Sequence, residues 1–192
     1  MHRTRSEIRS TAPDRAEIVA MVAKYMYEGR ILNNAHRGEV VEMMTLAALG
    51  PEWEHVGLGW HPWDLQRGRG AKRIRLQVKQ TAAVQLWGPT VSRTLQFGWK
   101  SNPPSYFKRD NPGEEIESEG WFCDGFVFGI HDETDTQRID QVDPTQWTFM
   151  VVSASQLKPR TNSMLLSKAR AVWPTVRWEN LREEVYARLG IR

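Results

Sequence analysis

The sequence predicts an α/β fold, in which a central mixed sheet of four or five strands is flanked by helices in a single domain, residues 1–192. The chain is 40% hydrophobic and 26% charged, as expected of a globular domain with one core. Segments near both ends carry apolar residues at helical spacing, whereas the segments between them alternate or are rich in aromatic and β-branched residues. No repeat and no linker divides the chain.

Three helices are predicted. The first follows Asp14, which can cap it, and its apolar residues keep helical spacing up to Gly29. The second covers about 35–49 and ends at Gly50-Pro51. The third covers 179–189 and closes the chain. The apolar stripe of the second helix consists of Val40, Val41, Met44, Ala47 and Ala48.

The strand that is predicted most clearly covers 72–79. Its aliphatic residues alternate with polar ones, so the aliphatic face is expected to be buried while the other face carries Gln77 and Lys79. Further strands are predicted at 53–59, 63–66, 94–99, 121–130 and 147–153. A turn is predicted at 67–70, an irregular or helical bridge at 81–87 and a long polar loop at 101–120.

The basic residues are unevenly distributed, although the net charge is only +3. They form a basic N-terminal arm, residues 1–12, and a basic cluster that consists of Arg67, Arg69, Lys72, Arg73 and Arg75. Both groups could contact phosphates, but surface charge commonly serves only solvation. The charge is therefore compatible with nucleic-acid binding without requiring it.

Cysteine content and hydropathy exclude several classes of protein. The single cysteine, Cys123, excludes an intrachain disulfide framework and a zinc site with several cysteines. No stretch approaches the ~20 apolar residues of a membrane span, and the N-terminus lacks the apolar core of a signal peptide. We therefore expect a cytoplasmic protein without a membrane partner.

The spacing of three polar residues indicates a metal site. Asp64 precedes the triplet Gln77-Val78-Lys79 by thirteen positions, which suits an oxygen donor on one strand and an oxygen donor plus lysine on the next. Mg²⁺ prefers oxygen ligands, and a lysine beside it can orient water or stabilise developing charge. Glu39 from the second helix would complete the acidic side of the site. Glu42 is the alternative, but it points roughly opposite the apolar stripe, whereas Glu39 lies at its flank.

These residues resemble the PD-(D/E)XK nuclease superfamily, and the glutamine in the triplet is similar to that of Mrr-type restriction nucleases. The downstream segments Gln80-Thr81-Ala82 to Gln85-Leu86-Trp87, Trp121 to His131 and Asp143-Pro144 to Phe149 resemble a bacterial branch of it. The resemblance covers roughly residues 35–186. It implies a restriction-endonuclease-like fold and a Mg²⁺- or Mn²⁺-dependent endodeoxyribonuclease of restriction or defence against foreign DNA.

Carried over by position, the resemblance implies catalytic roles for Glu39, Asp64, Gln77 and Lys79, of which the first three would ligate the metal. Gln77 departs from the family, because most members have an acid there, and its neutral amide puts metal affinity in doubt. We expect Gln80 and Gln85 to contact DNA together with the basic cluster. Nucleases of this type often act as homodimers, although no dimer interface is identified.

Other interpretations remain open. Asp64 alone could be a turn residue, and Gln77 and Lys79 alone could be the solvated face of an amphipathic strand. The neutral Gln77 also suits a non-catalytic nucleic-acid-binding module on the same scaffold. The nine tryptophans leave room for a third function, a protein that docks another chain through an aromatic surface.

Overall fold

The computed structural model describes residues 12–57, 61–90, 93–102, 113 and 119–192. These ranges form a five-stranded mixed sheet flanked by helices, so the predicted α/β class is confirmed. The N-terminal arm up to residue 11 and most of the polar loop predicted at 101–120 lie outside the described residues. No helix in the described ranges is long and apolar enough to cross a membrane.

The central sheet combines antiparallel and parallel pairs. The strands of the described ranges are β1 (Trp53–His55), β2 (Leu65–Arg67), β3 (Ile74–Ala82), β4 (Val84–Gln85), β5 (Gly88–Pro89), β6 (Thr94–Gln96), β7 (Gly125–His131), β8 (Trp147–Ser153) and β9 (Ser163–Leu165). The sheet has the order β1-β2-β3-β7-β8, in which β3 and β7 are parallel and the other pairs antiparallel. Two small antiparallel pairs, β4–β5 and β6–β9, lie outside it.

The predicted helices are present with slightly different ends. The helices are α1 (Arg15–Tyr27), α2 (Asn34–Leu49), α3 (Leu166–Arg170) and α4 (Leu181–Leu189). Asp14 caps α1 as predicted, because its carboxylate accepts a hydrogen bond from the Glu17 N–H at 2.8 Å. Although its apolar residues have helical spacing, α1 buries none of them.

The predicted strands are present, but those predicted at 53–59, 94–99 and 121–130 are shorter or shifted, and the segment between β3 and β6 differs. The strand at 147–153 is confirmed, and β3 covers most of its predicted range and continues to Ala82 because it pairs with β7 along its length. Residues 81–87 do not form the predicted irregular or helical bridge: they complete β3 and begin the β4–β5 hairpin. The pair β6–β9 and the helix α3 bring together segments far apart in sequence, and β9 and α3 have no predicted counterpart.

The two faces of the sheet support two cores. Leu76 and Val78 of β3 belong to the core between the sheet and the helices α2 and α4. The same core contains Val127 of β7, Val41 of α2 and Val185 of α4. Gln77 and Lys79 lie opposite Phe126 and Phe128 in the parallel register, and those phenylalanines belong to the other core. This second core also contains Trp63, Leu95, Phe97, Phe122 and Ile130. The alternation in β3 therefore places Gln77 and Lys79 on one face and the buried aliphatic residues on the other, as the sequence predicts.

The downstream Asp-Pro…Gln-Trp segment has a structural role. Asp143 accepts a hydrogen bond from the Thr145 N–H at 2.9 Å, and Gln146 spans the loop by accepting from the Asp140 N–H at 2.9 Å. Trp147 is fully buried and donates its indole N–H to the carbonyl of Gln141 at 3.2 Å. The segment therefore orders the loop that leads into β8.

Gly129 allows α2 to lie unusually close to the sheet. A Cβ atom at this position would lie 2.6 Å from Cγ1 of Val41 and 3.2 Å from Cε3 of Trp147. Real Cβ atoms do not approach neighbours that closely, so only glycine fits here. The contact sets the distance between the sheet and the helix that carries both candidate glutamates.

We expect Gly129→Ala to lower the free energy of unfolding by about 1–3 kcal/mol, because the added methyl group pushes Val41 and Trp147 apart. Gly38→Ala on α2 is the matched control. No atom lies within 4 Å of a Cβ there, so this change should stabilise the helix by about 0.5–1 kcal/mol. Urea unfolding of both variants measures the difference. Equal stability of Gly129→Ala and the wild type would show that α2 is not held at this distance.

Candidate functional site

Asp64 lies immediately before the first residue of β2, beside the longer strand β3. The last pair of the β2–β3 ladder is Leu65 with Leu76, and the Asp64 N–H still donates to the Leu76 carbonyl at 2.9 Å. Beyond that point Oδ2 of Asp64 accepts a hydrogen bond from the Val78 N–H at 2.7 Å. The carboxylate thus satisfies a backbone donor of β3 that β2 no longer reaches.

Gln77 and Lys79 lie on either side of this contact. Nε2 of Gln77 donates to Oδ2 of Asp64 at 2.7 Å, so the amide nitrogen faces the carboxylate. The positive charge of Lys79 acts on the same carboxylate and lowers its pKa, although burial outweighs this effect and leaves the pKa of Asp64 raised. The structure therefore brings together Asp64, Gln77 and Lys79, as the sequence predicts.

Glu42 approaches this group from α2. Burial is the largest cause of its raised pKa, and repulsion by Asp64 is the next. His55 of β1 opposes both effects, because its Nε2 lies 2.7 Å from Oε2 of Glu42, and Lys79 also lowers the pKa. Glu42 is thus electrostatically coupled to both Asp64 and Lys79.

Glu39 lies elsewhere, so the preference for Glu39 over Glu42 is wrong in position. Its Oε2 accepts a hydrogen bond from the Tyr27 hydroxyl of α1 at 2.6 Å, and this contact contributes to raising the pKa of Tyr27 to about 12. Glu39 lines an apolar groove of about 470 Å³ together with Val40, Met43 and Val142. The acid that the helix supplies to the site is therefore Glu42.

His55 is the site residue that sequence reasoning misses. Gly57 leaves room beside it: a Cβ at Gly57 would lie 3.3 Å from Nε2 of His55 and 3.6 Å from Oδ1 of Asp64. His55 pairs with Leu65 in the β1–β2 register, one position from Asp64. Only that strand pairing relates the two residues, and the nine positions that separate them in the sequence form no recognisable motif.

Gln80 and Gln85 both bind Arg37 through their side chains. Both donate or accept hydrogen bonds with protein groups: Oε1 of Gln80 lies 2.7 Å from Nε of Arg37, and Oε1 of Gln85 lies 2.6 Å from its Nη2. Gln85 is buried and also donates to the Ala82 carbonyl at 3.1 Å. Both amides thus hold a buried arginine, and DNA contact by these two glutamines stays a prediction.

Aromatic rings and carboxylates contact most of the basic cluster. The guanidinium of Arg75 forms two hydrogen bonds to Asp124, at 2.9 and 3.1 Å, and Arg73 lies over the ring of Trp63 at 5.1 Å. Arg67 lies over the ring of Tyr186 at 5.4 Å. Arg69 and Lys72 are exposed, with the guanidinium of Arg69 about 4.0 Å from Glu54. The part of the cluster that is most available to a phosphate is therefore this exposed pair.

Two adjoining recesses lie on the face that carries Gln77 and Lys79. The first has a volume of about 380 Å³ and is lined by both of these residues together with Lys100 and Trp121. The second, of about 730 Å³, is lined by Arg73, Arg75, Asp124 and others, and it shares Trp121 and Cys123 with the first. One side of β3 thus borders a continuous concave surface.

The donor atoms of this group suit a hard divalent cation. Mg²⁺ is commonly held by one or two carboxylates with waters, and Asp64 and Glu42 supply two carboxylates whose charges repel each other. Within the described ranges Oδ1 of Asp64 accepts no hydrogen bond from the protein. The same ranges contain no group of three or more His, Cys, Asp or Glu side chains arranged to hold a metal ion, so a cation would depend on these two carboxylates.

No protein family model, curated protein or solved structure matches the chain. The interpretation of the site therefore depends on its geometry and charge.

We expect Glu42→Gln to raise the melting temperature at neutral pH. The pKa of Glu42 in the folded state lies above its ordinary value of 4.5, so the folded protein loses stability as pH rises through that raised pKa. A glutamine keeps an acceptor for His55 and removes the repulsion with Asp64. The gain in melting temperature should shrink as pH falls towards 4.5. Thermal unfolding between pH 4 and 8 measures it.

Glu39→Gln on the same helix is the matched control, since Glu39 contacts Tyr27 rather than Asp64. It should show no gain that depends on pH over this range. A lower melting temperature of Glu42→Gln at every pH would contradict the coupling between Glu42 and Asp64.

Proposed function

We propose that the chain is a Mg²⁺- or Mn²⁺-dependent endodeoxyribonuclease of PD-(D/E)XK type that acts in restriction or defence against foreign DNA. The observation that carries the proposal is the convergence of Asp64, Glu42 and Lys79 where β2 leaves the edge of β3. Buried carboxylates with raised pKa values next to a lysine are commoner at functional sites than elsewhere. The order of the strands β1-β2-β3-β7-β8 is compatible with a restriction-endonuclease-like fold.

Asp64 and Glu42 are the residues that would hold the cation. When bound, the cation supplies a Lewis acid for a phosphodiester oxygen and lowers the pKa of a bound water. Its positive charge would also offset the repulsion between the two carboxylates, which burial strengthens. Proton and cation compete for the same oxygens, so metal binding should weaken at acidic pH.

The other residues of the group position the two carboxylates or neutralise negative charge. Gln77 donates to Oδ2 of Asp64, which orients the carboxylate so that Oδ1 is left for a ligand. His55 holds Glu42 in the same way through its 2.7 Å contact. Lys79 carries the positive charge that would orient the attacking water and stabilise negative charge on the phosphate.

A non-catalytic nucleic-acid-binding module is the second candidate. The observation that favours it is the orientation of Gln77, whose amide nitrogen already satisfies Asp64 and thereby reduces the need for a cation. Such a module would bind DNA in a salt-dependent way without a divalent ion. Dimerisation remains a prediction in either case.

We expect the wild-type chain to cleave DNA in the presence of Mg²⁺ or Mn²⁺, and Lys79→Ala to reduce the rate by about 10²-fold or more. Glu42→Gln should lower the rate in the same direction, whereas Glu39→Gln should leave it unchanged because Glu39 lies on another side of α2. Initial rates on single-stranded and duplex DNA substrates measure the effect. Equal rates for the wild type and Lys79→Ala would remove the nuclease proposal. Salt-dependent binding without cleavage would favour the module.

We expect Gln77→Glu to strengthen metal binding and to weaken the metal-free fold. The change removes the N–H that Asp64 accepts and places a third carboxylate beside it, which should cost about 1–3 kcal/mol without metal. Added Mg²⁺ should therefore raise the melting temperature of Gln77→Glu more than that of the wild type. Thermal unfolding in EDTA and in Mg²⁺ measures both effects.

Gln96→Glu is the matched control, because Gln96 is an exposed strand residue of β6, outside the central sheet. It should show neither the loss of stability nor the added response to Mg²⁺. A Mg²⁺ response of Gln77→Glu no larger than that of the wild type would contradict a cation site at Asp64.

A further inference from the structure

The smaller recess beside Lys79 has an aromatic floor. Phe97, Phe122 and Phe126 line it, and each is no more than 5% exposed. Phe97 packs edge-to-face against Phe126 with ring centroids 5.3 Å apart, so the floor is fixed by the core beneath it. At about 380 Å³ the recess is of the size that proteins use for small ligands.

The rim of the recess is cationic. Lys79 and Lys100 both line it, and its described lining residues include no aspartate or glutamate. Lys100 is held in place by a bridge to Gly120, in which each N–H donates to the other carbonyl at 2.9 Å. An anionic group at the rim with an aromatic or apolar group below it therefore matches the recess in charge and in polarity.

Trp121 supplies a hydrogen-bond donor that lacks an acceptor. It lines both recesses, and its indole Nε1 is buried without a partner among the described residues. The ring of Trp121 packs edge-to-face against the ring of Trp99, with ring centroids 4.6 Å apart. Trp99 precedes Lys100 and Trp121 follows Gly120, so both rings adjoin the backbone bridge between those two residues. Because an unsatisfied buried donor is costly, a ligand carbonyl that accepts from it would bind favourably.

A nucleotide with an unpaired base has all of these features. Its phosphate is anionic, its base has a face that stacks on aromatic rings, and a base carbonyl accepts a hydrogen bond. In an intact duplex the bases are stacked and paired, so they cannot enter a recess below a bound phosphate unless the nucleotide leaves the helix. The aromatic floor would then have no contact with the substrate.

We propose that this recess binds an unpaired base of DNA, so that the chain acts on single-stranded or locally unpaired DNA in preference to intact duplex. The inference rests on the proposed nuclease function for its cleavage step, but not for binding. The phosphate would lie at Lys79 and Lys100, while the base would lie against Phe97 and accept from Trp121.

Binding of a fluorescein-labelled oligothymidylate, measured by anisotropy in EDTA, tests the recess without cleavage. We expect the wild type to bind it at least about tenfold more tightly than a duplex of equal length at the same salt concentration. Trp121→Phe keeps an aromatic six-membered ring but removes the N–H together with the second ring of the indole, so it should weaken binding at least about five- to tenfold, the loss expected for one hydrogen bond. Removal of the N–H costs the fold no hydrogen bond among the described residues, and urea unfolding of the variant measures what the smaller ring loses in packing against Trp99.

Trp53→Phe is the matched control. The indole Nε1 of Trp53 is also buried without a described partner, but Trp53 belongs to the core on the opposite face of the sheet. Its binding should equal that of the wild type. Equal affinity for duplex and single strand, or unchanged binding by Trp121→Phe, would overturn the proposal, as would tighter binding of an oligouridylate RNA.

The result is distinguishable from failure of the nuclease proposal. Tight binding of the oligothymidylate that depends on Trp121, without cleavage in Mg²⁺ or Mn²⁺, would support the recess and remove the nuclease. Cleavage of intact duplex at a rate equal to that of single strands would support the nuclease and overturn the recess as a base-binding site.

Discussion

The candidate site depends on β2 being much shorter than its neighbour β3. β2 spans three residues and β3 nine, so the ladder between them stops at Leu65 and Leu76. The next N–H of β3 on the side of β2 is that of Val78. It would lack a hydrogen-bond partner if the Asp64 carboxylate did not accept from it. One side chain therefore closes the sheet and at the same time places a negative charge beside Gln77 and Lys79.

The two carboxylates of the site interact unfavourably with each other and with their partly buried surroundings. Asp64 and Glu42 are both half-buried and repel each other, and burial raises the pKa of each. Lys79 and His55 compensate in part, but the sheet would be more stable with uncharged side chains at the two acidic positions. Such perturbed carboxylates are commoner at functional sites than elsewhere. The electrostatics are therefore compatible with the proposed cation.

The sequence predicts where most helices and strands of the central sheet lie, but it does not predict which face of α2 is buried. The alternation in β3 and the aromatic strand at 147–153 are strong local patterns, and the structure contains both. The buried face of α2, however, includes Arg37 and Thr45 as well as Val41 and Met44. Hydrophobicity alone cannot identify those polar members, and including them rotates the buried face away from Glu39 and towards the flank that carries Glu42. The error in choosing the glutamate follows directly.

Arg37 binds Gln80 and Gln85, the two glutamines that the sequence predicts to contact DNA. It also connects the helix α2 to the site. Its fully buried guanidinium donates to both glutamines and to the Leu32 carbonyl, with no carboxylate among its described partners. Burial lowers the pKa of Arg37 to about 10, so the side chain is still charged at neutral pH and needs each of these acceptors. Because the acceptors come from the end of β3 and from β4, α2 cannot rotate or slide without leaving a buried charge unsatisfied. Gly129 sets how closely the helix lies, and Arg37 sets its rotation; together they fix the position of Glu42 opposite Asp64.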